Sequence, residues 1–452
     1  MRSRALCVSL SLACVAHAIA TDWPQIGGPN GGFAVTDPQL RGDWRGAEAK
    51  VAWRTKLTGP ATGRGVSIAD GQMFVVDNDA EGRNAILRVL GLDDGKERWQ
   101  CAWPTGGDVK AATASFSLHG CVPAVTADFV YFIGECRAQK ETAVLRAIDR
   151  KTHQVAWTMD PATKNWALVQ TASPVVVDDL VLVSCGVNGK KRDLLLALDR
   201  RMGAVRWTSE FESAGDHSML MNAPQVATIG GVRQIVMHHQ GGVGGVALDG
   251  KKLWNWDGYQ RKTLRSTPSV SPDGHVFVAS GHEGSSALLR VTRTGQTWTP
   301  ATVYADGLRG RGEAKKDSPF GPGCGPHLVE GNDFYNSGAW WDGALYVSGY
   351  MGLHCTRADG TIAWHENQRK GDKEGASVIA VNGRILTLSQ IKKKGTCLLI
   401  AGADPKTFAE LAAVPIHARL SNAEFAYAEG QIVSVSPLDG EVVCVDLGVG
   451  RD

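Results

Sequence analysis

Residues 173–207 have the sequence SPVVVDDLVLVSCGVNGKKRDLLLALDRRMGAVRW, in which short apolar segments alternate with tight-turn residues. Such segments predict antiparallel β-strands. The four predicted strands cover residues 173–177, 180–185, 194–198 and 204–207. A single sheet of this size cannot bury both of its faces, so it is expected to pack against further copies of itself.

The turn between the first two strands recurs along the chain. Its eight positions are Asp70-Gly71, Ala127-Asp128, Asp178-Asp179, Gly230-Gly231, Asp273-Gly274, Asp342-Gly343, Asn382-Gly383 and Glu429-Gly430. Their mean spacing is about 51 residues, close to the ~40–50 residues of a four-stranded propeller blade. The sequence therefore predicts an all-β, eight-bladed β-propeller. A seven-bladed ring is the alternative, because Gly274 and Gly343 lie unusually far apart.

A series of tryptophans marks the predicted outer strands. Its members are Trp53, Trp99, Trp157, Trp207, Trp254, Trp298 and Trp364. We predict that each of these tryptophans fills the gap between its blade and a neighbour. Trp53 lies on an outer-type strand before the first complete blade, whereas the eighth blade ends without an outer strand. The N-terminal strand is therefore predicted to close the ring and to leave no open sheet edge.

The N-terminus has the features of a secretory signal. Arg2 and Arg4 precede the apolar residues 5–16, and Ala18-Ile19-Ala20 provides small residues for cleavage. We predict a signal peptide at residues 1–20, cleavage after Ala20, and a single domain at 21–452 that is periplasmic or secreted. A buried N-terminal helix is the alternative interpretation.

Composition excludes some classes of partner. The net charge of +2 provides no basic field for nucleic acid. After the N-terminus no apolar run approaches the ~20 residues that a transmembrane helix needs. We expect a monomer that binds a protein, a saccharide or another small molecule.

Two segments carry a family resemblance. Residues 197–207, ALDRRMGAVRW, resemble the tryptophan-docking motif of the pyrroloquinoline quinone (PQQ) repeat family. Residues 147–157 are a close copy, with His153 where glycine is usual. Residues 22–31, DWPQIGGPNG, resemble the opening of exported PQQ-like propellers of planctomycete-type bacteria, although Ile26 and Gly27 replace Phe and Arg. The resemblance covers the whole mature chain.

The resemblance implies two kinds of function. Some members are quinoprotein dehydrogenases, with PQQ, a calcium site of Glu, Asn and Asp, and two adjacent cysteines in a disulfide ring. This chain has no adjacent cysteine pair. Other members bind no quinone and serve as interaction platforms, as in outer-membrane assembly. We therefore favour a non-catalytic binding or scaffold protein without a cofactor. A quinoprotein-type oxidoreductase with PQQ and calcium is the alternative, and a carbohydrate-active enzyme is the third possibility.

A propeller has two unlike faces. The loops from second to third strands and from blade to blade share one face, here called the loop face, and the hairpin turns listed above lie on the opposite turn face. Several ring-bearing side chains are predicted on the loop face as a candidate ligand site: His238, His239, His282, His327, Trp340, Trp341 and His354. The Gly241-Gly242 pair would let a ligand approach the backbone, and the two tryptophans could stack on sugars. The alternative is that these are ordinary loop residues; His365 and His417 are assigned to neither face.

Residues 299–335 are predicted to form an inserted loop, longer than compact domains usually carry without a function. A metal-site hypothesis combines Cys324 and His327 with His354 and Cys355. A Cys324–Cys355 disulfide is an equally good interpretation. A second disulfide is predicted between Cys121 and Cys136, which flank a hairpin.

Overall fold

The computed structural model describes residues 22–44, 49–58, 65–79, 84–104, 121–134, 143–169, 172–213, 219–260, 263–264, 266–279, 286–305, 337–349, 352–366, 376–391, 394–418, 424–436 and 439–448. Apart from a 3₁₀ helix at Pro161–Lys164, the regular structure in these ranges is β. No helix there has the length and apolar character needed to cross a lipid bilayer. The predicted signal peptide lies outside these ranges and stays a prediction.

The strands of the first half begin with β1 (Ala34–Val35) and β2 (Lys50–Lys56). Blade 1 contains β3 (Ser67–Ala69), β4 (Gln72–Asn78), β5 (Asn84–Gly91) and β6 (Glu97–Pro104). Blade 2 contains β7 (Ala124–Val125), β8 (Phe129–Gly134), β9 (Val144–Asp149) and β10 (Gln154–Met159). Blade 3 contains β11 (Trp166–Ala167), β12 (Val175–Val177), β13 (Leu180–Val187), β14 (Arg192–Asp199) and β15 (Val205–Glu212). Blade 4 follows a short strand β16 (Met219–Leu220) and contains β17 (Gln225–Ile229), β18 (Val232–His239), β19 (Gly242–Ala247) and β20 (Lys252–Trp256).

In the second half, β21 (Thr263–Leu264) pairs with β16. Blade 5 contains β22 (Ser269–Val270), β23 (His275–Ala279), β24 (Ser286–Thr294) and β25 (Thr297–Ala305). Blade 6 contains β26 (Ala339–Trp341), β27 (Ala344–Gly349), β28 (Gly352–Arg357) and β29 (Ile362–His365). Blade 7 contains β30 (Ile379–Val381), β31 (Arg384–Ile391), β32 (Gly395–Gly402) and β33 (Glu410–His417). Blade 8 contains β34 (Phe425–Ala428), β35 (Gln431–Val435) and β36 (Glu441–Asp446), with β2 as its fourth strand.

The eight blades confirm the predicted fold and exclude the seven-bladed alternative. Each blade is an antiparallel meander, and each predicted hairpin turn joins the first strand of a blade to the second. At Asp70 (φ 52°) and Gly71 (φ 67°), for example, both turn residues have positive φ. Such a backbone suits tight hairpins and explains the Asp-Gly and Asn-Gly pairs of the sequence.

The N-terminal strand closes the ring as predicted. Antiparallel pairing joins β2 to β36, the last strand of the chain, with Trp53 opposite Cys444. Blade 8 thus combines strands from both ends of the chain, and its outer edge packs against blade 1. Trp53 makes that contact, because its indole Nε1 donates to the Leu92 carbonyl at 2.9 Å.

The segment before β2 crosses the centre of the ring, which the sequence did not indicate. Trp23 pairs with Ile68 of blade 1, the Pro24 carbonyl accepts from Val125 of blade 2, and Gln25 Oε1 accepts from Val176 of blade 3. These contacts all lie at the turn-face ends of the innermost strands. The segment therefore follows the inner rim of the first three blades.

Past blade 3 the same segment spans the channel itself. A Cβ added to Gly31 would lie 3.5 Å from Gln225 of blade 4, yet the Phe33 carbonyl accepts from Ala380 of blade 7. Blades 4 and 7 are separated by three steps around the ring, so the chain crosses the axis within these few residues. Next, β1 adds a parallel strand to the inner edge of blade 7. Residues 22–41, here called the crossing segment, thereby close the turn face.

Five tryptophans of the series contact the following blade. Trp157 and Trp207 each donate to a backbone carbonyl of the next blade, at 3.1 and 3.0 Å, and Trp364 donates to the Asp404 carbonyl at 2.7 Å. Trp53 makes the equivalent bond described above. Trp99 instead stacks on His153, with ring centroids 4.2 Å apart. The histidine therefore takes the place of the glycine on which Trp53, Trp157 and Trp207 lie.

Trp254 and Trp298 belong to or pack against a hydrophobic cluster of blades 4 and 5, but in the described ranges their indoles make no hydrogen bond to the next blade. The Trp254 indole turns into its own blade, covers Gly245 and donates to Gln234 Oε1 at 2.7 Å. It does so because Gly245, beside a register shift, has no side chain to fill that space. Trp298 follows a tight hairpin and lies next to Arg293, 5.5 Å from the guanidinium carbon. Periodicity alone does not reveal these local exceptions.

Ion pairs join neighbouring blades on the turn face. In each pair an arginine reaches the acidic turn residue of the preceding blade: Arg150 to Asp70 at 2.9 Å, Arg201 to Asp128 at 3.1 Å, and Arg233 to Asp178 at 3.0 Å. Exposed pairs of this kind contribute little individually, about 0–1 kcal/mol. Together they cover the turn face of blades 1 to 4 with charges that are already paired.

Candidate functional site

The predicted pair His238 and His239 lies at the loop-face end of β18, but neither ring reaches solvent. Both residues are at most 1% exposed. His239 stacks on Phe211, its Nε2 lies 2.8 Å from Asn255 Oδ1, and its Nδ1 lies 3.3 Å from the Glu212 carbonyl. Burial lowers the pKa of His239 to about 4, so the ring is neutral at pH 7. This corrects the prediction that the two rings line an open mouth.

The glycines after His239 are packed against other residues of the protein, whereas the sequence predicted that a ligand would approach them. A Cβ on Gly242 would lie 2.0 Å from the Trp256 carbonyl oxygen, and one on Gly244 would lie 2.3 Å from the Phe211 ring. Gly245 is covered by Trp254 as described above. The glycines are thus needed for close packing of aromatic side chains within and between blades.

The predicted aromatic platform is not on the surface. Trp340 and Trp341 belong to β26, the innermost strand of blade 6, and Trp340 is 5% exposed. Its Nε1 donates to the Ser269 carbonyl of blade 5 at 3.1 Å. Trp341 is half-buried near Gly383. The prediction of an exposed stacking ring is wrong for Trp340, because this indole packs against blade 5, whereas Trp341 keeps part of its surface exposed.

The metal-site hypothesis has two of its four residues in the described ranges. His354 and Cys355 are adjacent on β28, and both are buried. Burial raises the pKa of Cys355 to about 11, so its thiol is protonated at pH 7. Cys324, His327 and His282 lie outside the described residues, as does Cys136, the predicted partner of Cys121. Within those ranges no group of three or more His, Cys, Asp and Glu is placed to hold a metal ion.

The predicted insertion begins later than residue 299. Strand β25 continues to Ala305 and pairs along β24 as the outer strand of blade 5. Residues 299–305 are therefore part of a blade, and residues 306–336 lie outside the described ranges. The sequence did not show where β25 ends, because its Thr, Ala and Val residues lead without a clear break into a charged run after Ala305.

A buried polar cluster between blades 3 and 4 was missed by sequence reasoning. Asp193 is the second residue of β14 in blade 3 and has no exposed surface. Its Oδ2 accepts from the Gln240 amide at 2.6 Å, and Ser213 donates to the Gln240 side chain. Burial raises the pKa of Asp193 to about 7, against the opposing effect of the Gln240 hydrogen bond. Nothing in the local pattern distinguishes Asp193 from an ordinary strand-end residue.

A second buried cluster lies where the ring closes, between blades 7 and 8. His417 ends β33, and its side chain is 2% exposed. Its Nδ1 lies 3.0 Å from Glu441 Oε2, so Nδ1 carries the proton and donates to the carboxylate. Its Nε2 then accepts from the Ser434 hydroxyl at 3.1 Å. Burial lowers the pKa of His417 against the raising effect of Glu441, which keeps the imidazole neutral at pH 7.

The order Ser434–His417–Glu441 is that of a nucleophile, a base and an orienting acid. A hydrolase, however, must present its nucleophile to a substrate. Ser434 has no exposed surface, and it lies within the sheet opposite Phe425 and Val443. We therefore interpret the three residues as a structural link between the two blades that close the ring.

A cavity of about 620 Å³ opens beside this link on the loop face, and we call it the blade 7–8 cavity. Its lining residues are Arg54, Thr55, Lys56, Lys394, Pro415, Ile416, His417, Ala418, Asp439 and Glu441. Arg54 Nη1 donates to Glu441 Oε1 at 2.9 Å and to the Ile416 carbonyl at 2.6 Å. The cavity is thus bounded by the N-terminal strand on one side and by the hairpins of blades 7 and 8 on the other.

Comparisons with known proteins agree with this architecture. A PQQ-repeat family model, described as outer membrane protein assembly factor BamB, matches residues 140–317. No curated protein matches the chain. Among solved structures, BamB from Moraxella catarrhalis shares 13% identity at a TM-score of 0.57, over 88% of this chain and 100% of that one.

Quinoprotein enzymes share the same fold. Quinohemoprotein alcohol dehydrogenase ADHIIG from Pseudomonas putida HK5 shares 12% identity at a TM-score of 0.64, over 95% of this chain and 81% of its own. The corresponding enzyme from Comamonas testosteroni shares 11% identity at 0.63, with the same coverage. Identities this low establish the fold and leave function open. The chain is thus an eight-bladed β-propeller, and its residues 140–317 are similar to the PQQ-repeat family.

Proposed function

We propose that the chain is exported by its N-terminal residues 1–20 and acts as a binding or scaffold protein, with a protein partner on the loop face. The observation that supports this most is the closure of the turn face by the crossing segment. A partner approaching the axis from that side meets backbone already bonded to blades 1, 2, 3 and 7. The paired charges around the turn-face rim are likewise already used between blades.

The similarity to BamB points in the same direction, because that protein is described as an assembly factor. A scaffold is expected to offer an exposed apolar patch. In the described ranges the exposed large apolar side chains are Val155 and Met202, at 41% and 67%. These two residues do not form such a patch on the loop face. A protein partner would therefore contact the described part of the loop face through polar side chains and backbone groups.

The quinoprotein alternative has less support from these residues. The chain has no adjacent cysteine pair for a disulfide ring. In the described ranges the ring centre near the turn face is filled by the crossing segment. The saccharide alternative is weakened in turn by the burial of Trp340.

Photo-crosslinking tests the proposed face. We expect a photoreactive amino acid at Lys190, in the loop-face hairpin of blade 3, to crosslink one discrete partner in the source cells. The matched control is Met202, which is exposed in the turn-face hairpin of the same blade. It should give no discrete product. A defined crosslink from Met202 with none from Lys190 would place the interface on the wrong face and sink the proposal.

Titration with PQQ separates the scaffold from the dehydrogenase. We expect no saturable quenching of tryptophan fluorescence up to high micromolar PQQ, with or without calcium. The 14 tryptophans make the chain a sensitive reporter of a bound quinone. Saturable, calcium-dependent quenching at micromolar PQQ would instead favour the oxidoreductase and direct attention to assays on alcohols and sugars.

A further inference from the structure

The blade 7–8 cavity has an imbalance of charge. Three cationic side chains border it, from Arg54, Lys56 and Lys394, against two carboxylates, from Asp439 and Glu441. The buried His417 is neutral at pH 7, as argued above. The cavity therefore carries a net positive charge, although the whole chain is close to neutral.

Both carboxylates are already used by the protein. Glu441 accepts from His417 with one oxygen and from Arg54 with the other. Asp439 accepts from the Glu441 amide at 3.2 Å. The Ser436 side chain also hydrogen-bonds to Asp439. Both acids therefore help to build the wall of the cavity, and they offset two of its three positive charges, which leaves a net charge of about +1 on the described lining.

The two lysines differ from the acids in this respect. Lys56 ends the ring-closing strand β2, and Lys394 lies in the loop-face hairpin of blade 7. Within the described part of the chain, neither ammonium group forms an ion pair at contact distance, although Lys56 is close enough to Asp439 to lower the pKa of that carboxyl. The two bonds that Arg54 makes to Glu441 and Ile416 both start from Nη1. The remaining guanidinium donors of Arg54 can therefore also serve a ligand.

We propose that the blade 7–8 cavity binds a small ligand through a phosphate group, held by Lys56, Lys394 and Arg54. A phosphate suits this site because it offers several acceptor oxygens and about two negative charges to cations that come from two blades. The volume of about 620 Å³ lies in the range of small-molecule pockets. This site is independent of the proposed protein partner, since it needs no contact outside the rim of blades 7 and 8.

The test is a ³¹P NMR titration of inorganic phosphate into the full mature chain at low ionic strength. We expect saturable binding with one equivalent of sites. The double variant Lys56→Gln/Lys394→Gln should weaken it at least about 10-fold, because each lysine contributes a charge-assisted hydrogen bond. Added salt should weaken binding as well, since the cavity is open to solvent.

The matched control is a second double variant with the same net charge as Lys56→Gln/Lys394→Gln. Lys190→Gln/Lys406→Gln removes two exposed lysines that lie away from the cavity, and phosphate binding should be unchanged. Equal weakening in the control would show a general charge effect and overturn the site. The proposal also fails if phosphate does not saturate, or if succinate saturates and phosphate does not. Unchanged circular dichroism of both variants establishes that they are folded.

Discussion

Replacing Asp193 by Asn should raise the free energy of unfolding at pH 8 by up to about 4 kcal/mol and leave it nearly unchanged at pH 4. Burial raises the pKa of Asp193 from 3.8 to about 7. The folded chain therefore binds more protons than the unfolded chain between these values, so stability falls as pH rises through this window. The size of the shift sets the upper limit of the effect, about 1.4 kcal/mol for each pH unit.

Urea unfolding followed by circular dichroism at several pH values from 4 to 8 measures this effect. Asp199→Asn is the matched control with the opposite sign. Hydrogen bonds from Arg206 and from the backbone lower the pKa of Asp199, so that variant should lose stability at neutral pH. Parallel pH profiles of the wild-type chain and Asp193→Asn would show that Asp193 is not buried as described.

Trp53→Ala should lower the free energy of unfolding by about 3 kcal/mol, whereas Trp298→Ala should lower it by less than about 1 kcal/mol. The two changes delete the same atoms from half-buried sites on outer strands. Trp53 bonds to Leu92 and covers Gly95 of blade 1, so its loss leaves a void at the joint that closes the ring. Trp298 contacts Arg293 of its own hairpin and packs only at the edge of the cluster of blades 4 and 5, without a hydrogen bond that joins two blades.

Guanidinium unfolding monitored by far-ultraviolet circular dichroism gives both values without relying on tryptophan emission. Equal destabilisation by the two substitutions would mean that Trp298 docks like the rest of the series. A loss for Trp53→Ala no larger than for Trp298→Ala would remove the argument that this indole joins the two ends of the ring.

The sequence was sufficient for the fold because the deciding signals are local. A tight hairpin requires residues that tolerate positive φ, and pairs such as Asn382-Gly383 report that need directly. The same holds for ring closure, since an unpartnered outer strand at 50–56 and an incomplete last blade imply each other. Such local patterns can be recognised in the sequence without knowing which residues lie next to them in the fold.

The candidate site was harder to predict because burial depends on neighbours that are distant in sequence. His239 follows an apolar strand and precedes glycines, as a ligand-binding residue would. Phe211 and Asn255 nevertheless enclose its ring. The glycine run gives the same local signal whether a ligand or an aromatic side chain fills the space. Lys56 and Lys394 could not be paired from sequence, because only ring closure brings them to one cavity.

The crossing segment also constrains the order in which the molecule can assemble. Asp37 emerges early in synthesis, yet its carboxylate accepts from Tyr427 at 2.7 Å and from the Gly430 amide at 2.8 Å. Contacts between residues so far apart in sequence form slowly, because a long loop must close first. The first blades can therefore fold as they are made, but the segment that precedes them must wait for blades 7 and 8. Closure of the channel and closure of the ring are thus the same late event.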